Sequence, residues 1–164
     1  MATPTYTLID STTLTSSASS VTFSSISGSY RDLVLVIEIT GGNGDFYPRL
    51  QYNNDTGSNY SYVEMQGNGS SVNSYYGTSE TGIQLNGAYA SIGNTAFYTV
   101  NIFDYSATDK HKTSLSRSNR ANQIVNAMAQ RWANTSAIST IKIYSANGNT
   151  MASGGKVYLY GIEA

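Results

Sequence analysis

Cysteine is absent from this 164-residue chain, histidine occurs once, and charged residues make up only 12%. Each shortage closes a class. Without cysteine there is neither a disulfide nor a thiolate metal site. With one histidine, any Ser-His-Asp triad would have to use His111, with Ser106, Ser114 or Ser116 and Asp104 or Asp109 beside it. His111 lies between Lys110 and Lys112, whose charges disfavour the imidazolium that a general base must become. No Gly-x-Ser-x-Gly elbow and no Gly-rich loop leading into Lys-Ser/Thr is present. No run approaches the ~20 apolar residues of a membrane-spanning helix. The segment Met1–Tyr6 has neither a basic nor a continuous apolar stretch, so the expectation is a protein made and assembled in a cytoplasm, with no membrane partner.

What is abundant is tyrosine, 14 residues of it, among many Ser, Thr and Asn. A neutral polar surface with tyrosine suits contact with a protein or a glycan, since Tyr offers area at little entropic cost. Charge is segregated along the chain. Nine acids and two bases precede Lys110; from Lys110 to Lys156 there are seven bases and no acid. This reads either as a basic docking surface or as an asymmetry that cancels once the chain interleaves. The bases are too dispersed for a phosphate-tracking stripe, so no direct nucleic-acid partner is expected.

The remaining pattern is a ladder of strands. Thr5–Asp10 begins it, with residues 1–20 read as an N-terminal strand or arm, and Val21–Ile26 follows. Tyr30–Thr40 reads as central, with Leu33, Leu35, Ile37 and Ile39 on one face. Phe46–Tyr52 and Tyr60–Gln66 read as a strand pair around Asn53–Asn59, Pro48 placing the first at an edge or bulge. Gly67–Gly82, poor in aliphatic residues, reads as a long loop carrying Tyr75 and Tyr76. Asn86-Gly87 signals a two-residue hairpin turn between Gly82–Leu85 and Ala88–Ile92. Ala96–Tyr105 and His111–Ser118 should lie side by side. Arg120–Ala133 fits both a helical stripe and a strand; in so uniformly β a chain the strand is preferred. Ile138–Ser145 and Lys156–Ile162 close the series, the last with apolar side chains on both faces and hence inside the fold. The expected architecture is all-β: one domain over 1–164, a two-sheet antiparallel sandwich of jelly-roll type with about ten strands. Leu35, Ile37, Val100, Ile102, Ile141, Ile143 and Leu159 should be core.

Chemical motifs are few. Asp55-Thr56-Gly57 spells the aspartic-protease tripeptide, but no second copy exists to share a proton with it, so a turn is expected. Asn53-x-Asp55-x-Gly57 is a partial calcium loop whose bidentate acid is missing at the required spacing, Glu64 being misplaced for it. None of the ten acids has a recognisable glycosidase setting. Trp132 with the tyrosines could be a sugar-stacking platform or core aromatics. The reading is non-enzymatic, with no catalytic, cofactor-binding or metal residue.

Several stretches resemble small virion structural proteins of tailed phages, particularly cyanophages. They are Tyr30-Arg-Asp-Leu-Val-Leu-Val-Ile37, Leu50-Gln-Tyr-Asn-Asn-Asp-Thr-Gly-Ser-Asn-Tyr60, Asp104-Tyr-Ser-Ala-Thr-Asp-Lys-His-Lys-Thr113, Arg131-Trp-Ala-Asn-Thr135 and Tyr158-Leu-Tyr-Gly-Ile162. The resemblance implies a capsid decoration (cement) protein on the virion surface, binding the major capsid protein lattice as a homo-oligomer, a trimer. Its alternative is a tail-fibre or baseplate accessory, or a receptor (glycan)-binding module. The expected contacts are Lys110, Lys112, Arg117 and Arg120, with Tyr75 and Tyr76. No cofactor is implied.

Overall fold

The computed structural model describes residues 4–121 and 123–163. Twelve strands form among them: β1 (Tyr6–Thr13), β2 (Ser20–Phe23), β3 (Asp32–Thr40), β4 (Pro48–Tyr52), β5 (Tyr60–Gly67), β6 (Val72–Glu80), β7 (Ile83–Gln84), β8 (Thr95–Phe103), β9 (Lys112–Arg120), β10 (Ile124–Trp132), β11 (Ile141–Ser145) and β12 (Lys156–Ile162). They build two antiparallel sheets, ordered β1-β12-β3-β8-β9-β10-β5-β6 and β2-β11-β4-β7.

The order is that of a jelly roll with two insertions. Without the hairpins β5-β6 and β9-β10, eight strands remain, arranged β1-β12-β3-β8 over β2-β11-β4-β7. Numbered one to eight along the chain, they run 1-8-3-6 and 2-7-4-5, the interleaving of a double Greek key. One hairpin is inserted between β4 and β7, the other between β8 and β11. They pair with each other through β10 and β5, and β9 pairs with β8. The larger sheet thereby gains a four-stranded wing.

Alternation places the core between the sheets. Leu33, Leu35, Ile37 and Ile39 of β3, Tyr98, Val100 and Ile102 of β8, and Val157 and Leu159 of β12 face Val21, Phe23, Leu50, Ile83, Ile141 and Ile143 of the smaller sheet. All seven residues expected in the core are fully buried. The closing strand is internal, paired with both β1 and β3.

Some local expectations are corrected. Gly67–Gly82 is not a long loop, because Val72–Glu80 pairs with β5 along its length. The Asn68 side chain accepts the backbone N–H groups of Ser70 and Ser71 (3.0 and 2.8 Å), closing a tight connection. As an outer strand with both faces wet, β6 needs no aliphatic pattern. The runs around Asn53–Asn59 do not pair: β4 lies in one sheet and β5 in the other, and the segment crosses between them. Pro48 sits in an inner strand but opens it, where the missing N–H is tolerated. Asn86–Ala88 is a short 3-10 turn rather than a hairpin. Gly87 serves close approach there, since a Cβ would collide with the Asn126 amide and the Glu64 carboxylate. Residues 124–132 form a strand, as preferred.

Candidate functional site

The wing reverses the usual sidedness of a sheet. Along β9, Lys112, Ser114, Ser116, Ser118 and Arg120 are buried, whereas Thr113, Leu115, Arg117 and Asn119 are exposed. Along β10, Asn126, Met128, Gln130 and Trp132 point inward, while Val125, Ala129 and Arg131 are exposed. The register brings Glu64 and Gln66 of β5 onto the same inner face.

Hydrogen bonds make this polar interior affordable. The Gln130 amide donates to the Gln84 carbonyl and to Ser116 Oγ, both at 2.8 Å, and its oxygen accepts from Ser114 Oγ at 2.9 Å. Ser118 Oγ donates to Asn126 Oδ1 at 3.2 Å, and the Asn126 amide donates to Glu64 Oε1. Gln66 Nε2 donates to the same Glu64 oxygen and to the Gly87 carbonyl, each at 3.2 Å. Burial holds the Glu64 carboxyl above its ordinary value, although both amides pull it down. Satisfied in this way, a buried polar layer fixes register instead of loosening the core.

The outer face has the opposite character. Strand pairing aligns Phe97, Asn119, Val125, Gly67 and Val72 in one row, and Asn101, Leu115, Ala129, Val63 and Tyr76 in another. Met65, Val72 and Tyr76 are 66, 87 and 78% exposed. A shallow groove of about 680 Å³ runs past Met65, Val72, Arg117, Val125 and Ala127. Arg117 lies between the rows and Arg131 beyond the second, and the wing's outward positions hold no acid. The free rim is β6, whose outer edge has no neighbouring strand.

The four cations expected to dock together do not share a surface. Lys112 is only 1% exposed, and its ammonium donates to the carbonyls of Lys110 and Thr135 at 2.9 and 3.0 Å; burial lowers its pKa. Arg120 is buried, donating to Ser91 Oγ at 2.8 Å and stacking over Tyr89, 4.1 Å from the ring centroid. Lys110 is exposed and paired with Asp104 at 3.1 Å. Arg117 alone of the four reaches the outer face. The charge asymmetry along the chain cancels in part, Lys110 meeting Asp104 and Lys156 meeting Glu38. Tyr75 and Tyr76 are exposed on β6 and point to opposite sides of the wing, opposite Glu64 and Val63.

Trp132 is buried and stacks with Tyr60 (6.2 Å between centroids) and edge-on with Tyr52 (5.6 Å), so it offers no sugar platform. Asp55 anchors this cluster: its carboxylate accepts Trp132 Nε1–H at 2.7 Å, Asn59 Nδ2 at 2.9 Å and the Gly57 backbone N–H at 2.8 Å. The Asp-Thr-Gly run is a turn bolted to an aromatic core. The outer-face residues Val63, Met65, Val72, Leu115, Val125 and Arg131 were missed by sequence reading. The available signal was Ser114, Ser116 and Ser118 alternating with larger residues, which leaves the sidedness of β9 open.

No family model and no curated protein matches the chain. Among solved structures, a Caenorhabditis elegans galectin aligns over 100% of this chain and 99% of its own, at 8% identity and TM-score 0.36. An alginate lyase aligns over 93% and 76%, at 12% identity and TM-score 0.36. A protein of unknown function from Shewanella oneidensis MR-1 aligns over 98% and 80%, at 8% identity and TM-score 0.21.

Proposed function

We propose that this chain is a non-enzymatic virion structural protein, a capsid decoration protein that seats the outer face of its wing on the major capsid lattice. The observation that carries the reading is the reversed wing: polar side chains are buried in a hydrogen-bonded network while Val63, Met65, Val72, Leu115 and Val125 are left in solvent. A contiguous apolar face of this kind marks a protein contact. Its only charges are Arg117 and Arg131. Pairing the face with a second copy would set arginine against arginine, so the fitting occupant is a flat, apolar surface bearing carboxylates. The resemblance of Tyr30–Ile37, Leu50–Tyr60 and Asp104–Thr113 to small phage virion proteins makes a capsid lattice with an acidic outer surface the partner proposed here. A cement protein that binds the assembled lattice and not its dispersed subunits stabilises the shell by mass action. Trimerisation around a lattice symmetry axis belongs to the same proposal.

Mass spectrometry of purified particles, with copy number measured against the major capsid protein, tests the placement. The proposal expects a copy number on the scale of the capsid subunits themselves. A ratio matching tail components would move the protein to the tail-fibre or baseplate alternative.

A further inference from the structure

The inner side of the wing opens near its rim into a cavity of about 420 Å³, lined by Tyr62, Glu64, Gln66, Tyr75 and Gly87 among others. This volume lies within the range of small-ligand sites. Two glycines allow close approach of the side chains around it. Gly77 has no Cβ beneath the Tyr62 ring, which lies down against the strand, and Gly87 has none between Glu64 and Asn126. Glu64 is only 6% exposed; its Oε1 is taken by the Asn126 and Gln66 amides, and among the described residues its Oε2 has no hydrogen-bond partner. Tyr75 stands opposite Glu64 across the β5–β6 pair, so its ring and the carboxylate share this face.

We infer that this cavity is a binding site for a neutral saccharide. Tyr62 and Tyr75 present flat apolar rings with hydroxyl ends, which match the C–H faces and hydroxyl edges of a pyranose. Glu64 Oε2 is an acceptor for a sugar hydroxyl, held in place by two amides before any ligand arrives, and a charged acceptor makes the stronger hydrogen bond. Gln66, spending its amide N–H on Glu64 and Gly87, keeps its oxygen as a further acceptor. The balance of acceptors over donors selects a ligand rich in hydroxyls. The Glu64 carboxylate, with no cation lining the cavity beside it, disfavours uronate and sialate sugars. Burial raises the Glu64 carboxyl, and it is the one acid among the residues lining this cavity. The cavity opens on the inner side of the wing, and Ser74 and Tyr76 of β6 also border it.

The inference is tested on the isolated protein by amide-resolved NMR titration. The probes are the methyl glycosides of glucose, galactose, mannose and N-acetylglucosamine, then methyl glucuronide and choline. At least one neutral glycoside should give saturable shifts confined to the amides around Tyr62, Glu64, Gln66, Tyr75 and Gly87. Tyr75→Ala, an exposed substitution that leaves the remaining spectrum in place, should weaken that binding about tenfold or more. The inference is overturned if none of the neutral glycosides gives saturable shifts at these residues. It is equally overturned if glucuronide or choline binds more tightly than they do, or if the shifts survive Tyr75→Ala. None of these outcomes bears on docking by the outer face, which is read on particles.

Discussion

Two carboxylates carry most of what is unusual in this protein, and their environments push them in opposite directions. At Asp55 burial raises the carboxyl, but hydrogen bonds from Asn59, Trp132 and Gly57 outweigh it and hold the group below its ordinary value. A depressed carboxyl adds stability that is present above its unfolded value, near 3.8, and is lost as pH falls through the lower folded value. Denaturant titrations of wild type and Asp55→Asn should therefore differ at neutral pH and converge in acid. Asp55→Ala should cost about 1.5–3 kcal/mol, the range for a hydrogen bond to a charged group, and should shift the emission of Trp132. An unchanged emission would mean that the indole is not held by this carboxylate.

Glu64 has the reverse sign. Its folded value is raised by burial, so the stability linked to it is complete below the unfolded value, near 4.5, and declines as pH rises through the folded one. Glu64→Gln keeps an acceptor for the neighbouring amides and removes that decline. The variant should melt higher than wild type at neutral pH, with the difference vanishing in acid. A variant less stable than wild type at neutral pH, with the deficit vanishing in acid, would show instead that the network favours the charged carboxylate.

At the scale of elements, most strands were legible, β6 excepted, and the sidedness of the wing was not. In β3 and β8 the alternation of Leu, Ile and Val points unambiguously inward, and the core follows; Leu35→Ala or Ile102→Ala should cost roughly 2–5 kcal/mol. In β9 the same rule would turn Leu115 inward and the serines outward. The structure does the opposite, because Gln130, Asn126 and the Gln84 carbonyl supply partners for a buried polar row. Such networks join residues of different strands and leave no mark on the local pattern of any one strand. Edge strand β6 escaped for a related reason: with two wet faces it has no hydrophobic period to read. Lys112 and Arg120 likewise look like surface cations until their inward parity is known. A paired substitution checks the sidedness. Leu115→Ser should change stability by no more than about 0.5 kcal/mol. Ser116→Leu, by crowding the layer and orphaning the Gln130 amide, should cost about 1–3 kcal/mol.

At the scale of the molecule, the jelly roll is complete without the wing. Its eight strands supply most of the apolar core, and the two inserted hairpins add a platform with a hydrogen-bonded underside and an apolar upper side. A departure from local patterning that spans a contiguous face is most often there for function. Here the departure leaves apolar area and two arginines facing outward on a rigid sheet. Arg117 and Arg131 would steer the encounter with an acidic lattice mainly through the association rate, an effect that salt screens. The apolar rows would supply the affinity.

The most direct measurement is rebinding of the purified protein to particles stripped of it, followed by sedimentation, with wild type beside the double variant Val63→Glu/Leu115→Glu. Both positions are exposed, so the melting temperature of the free protein should barely move. The account predicts that the variant fails to sediment with the particles. A variant that rebinds as well as wild type would contradict it, for the reversed wing would then not be the docking face.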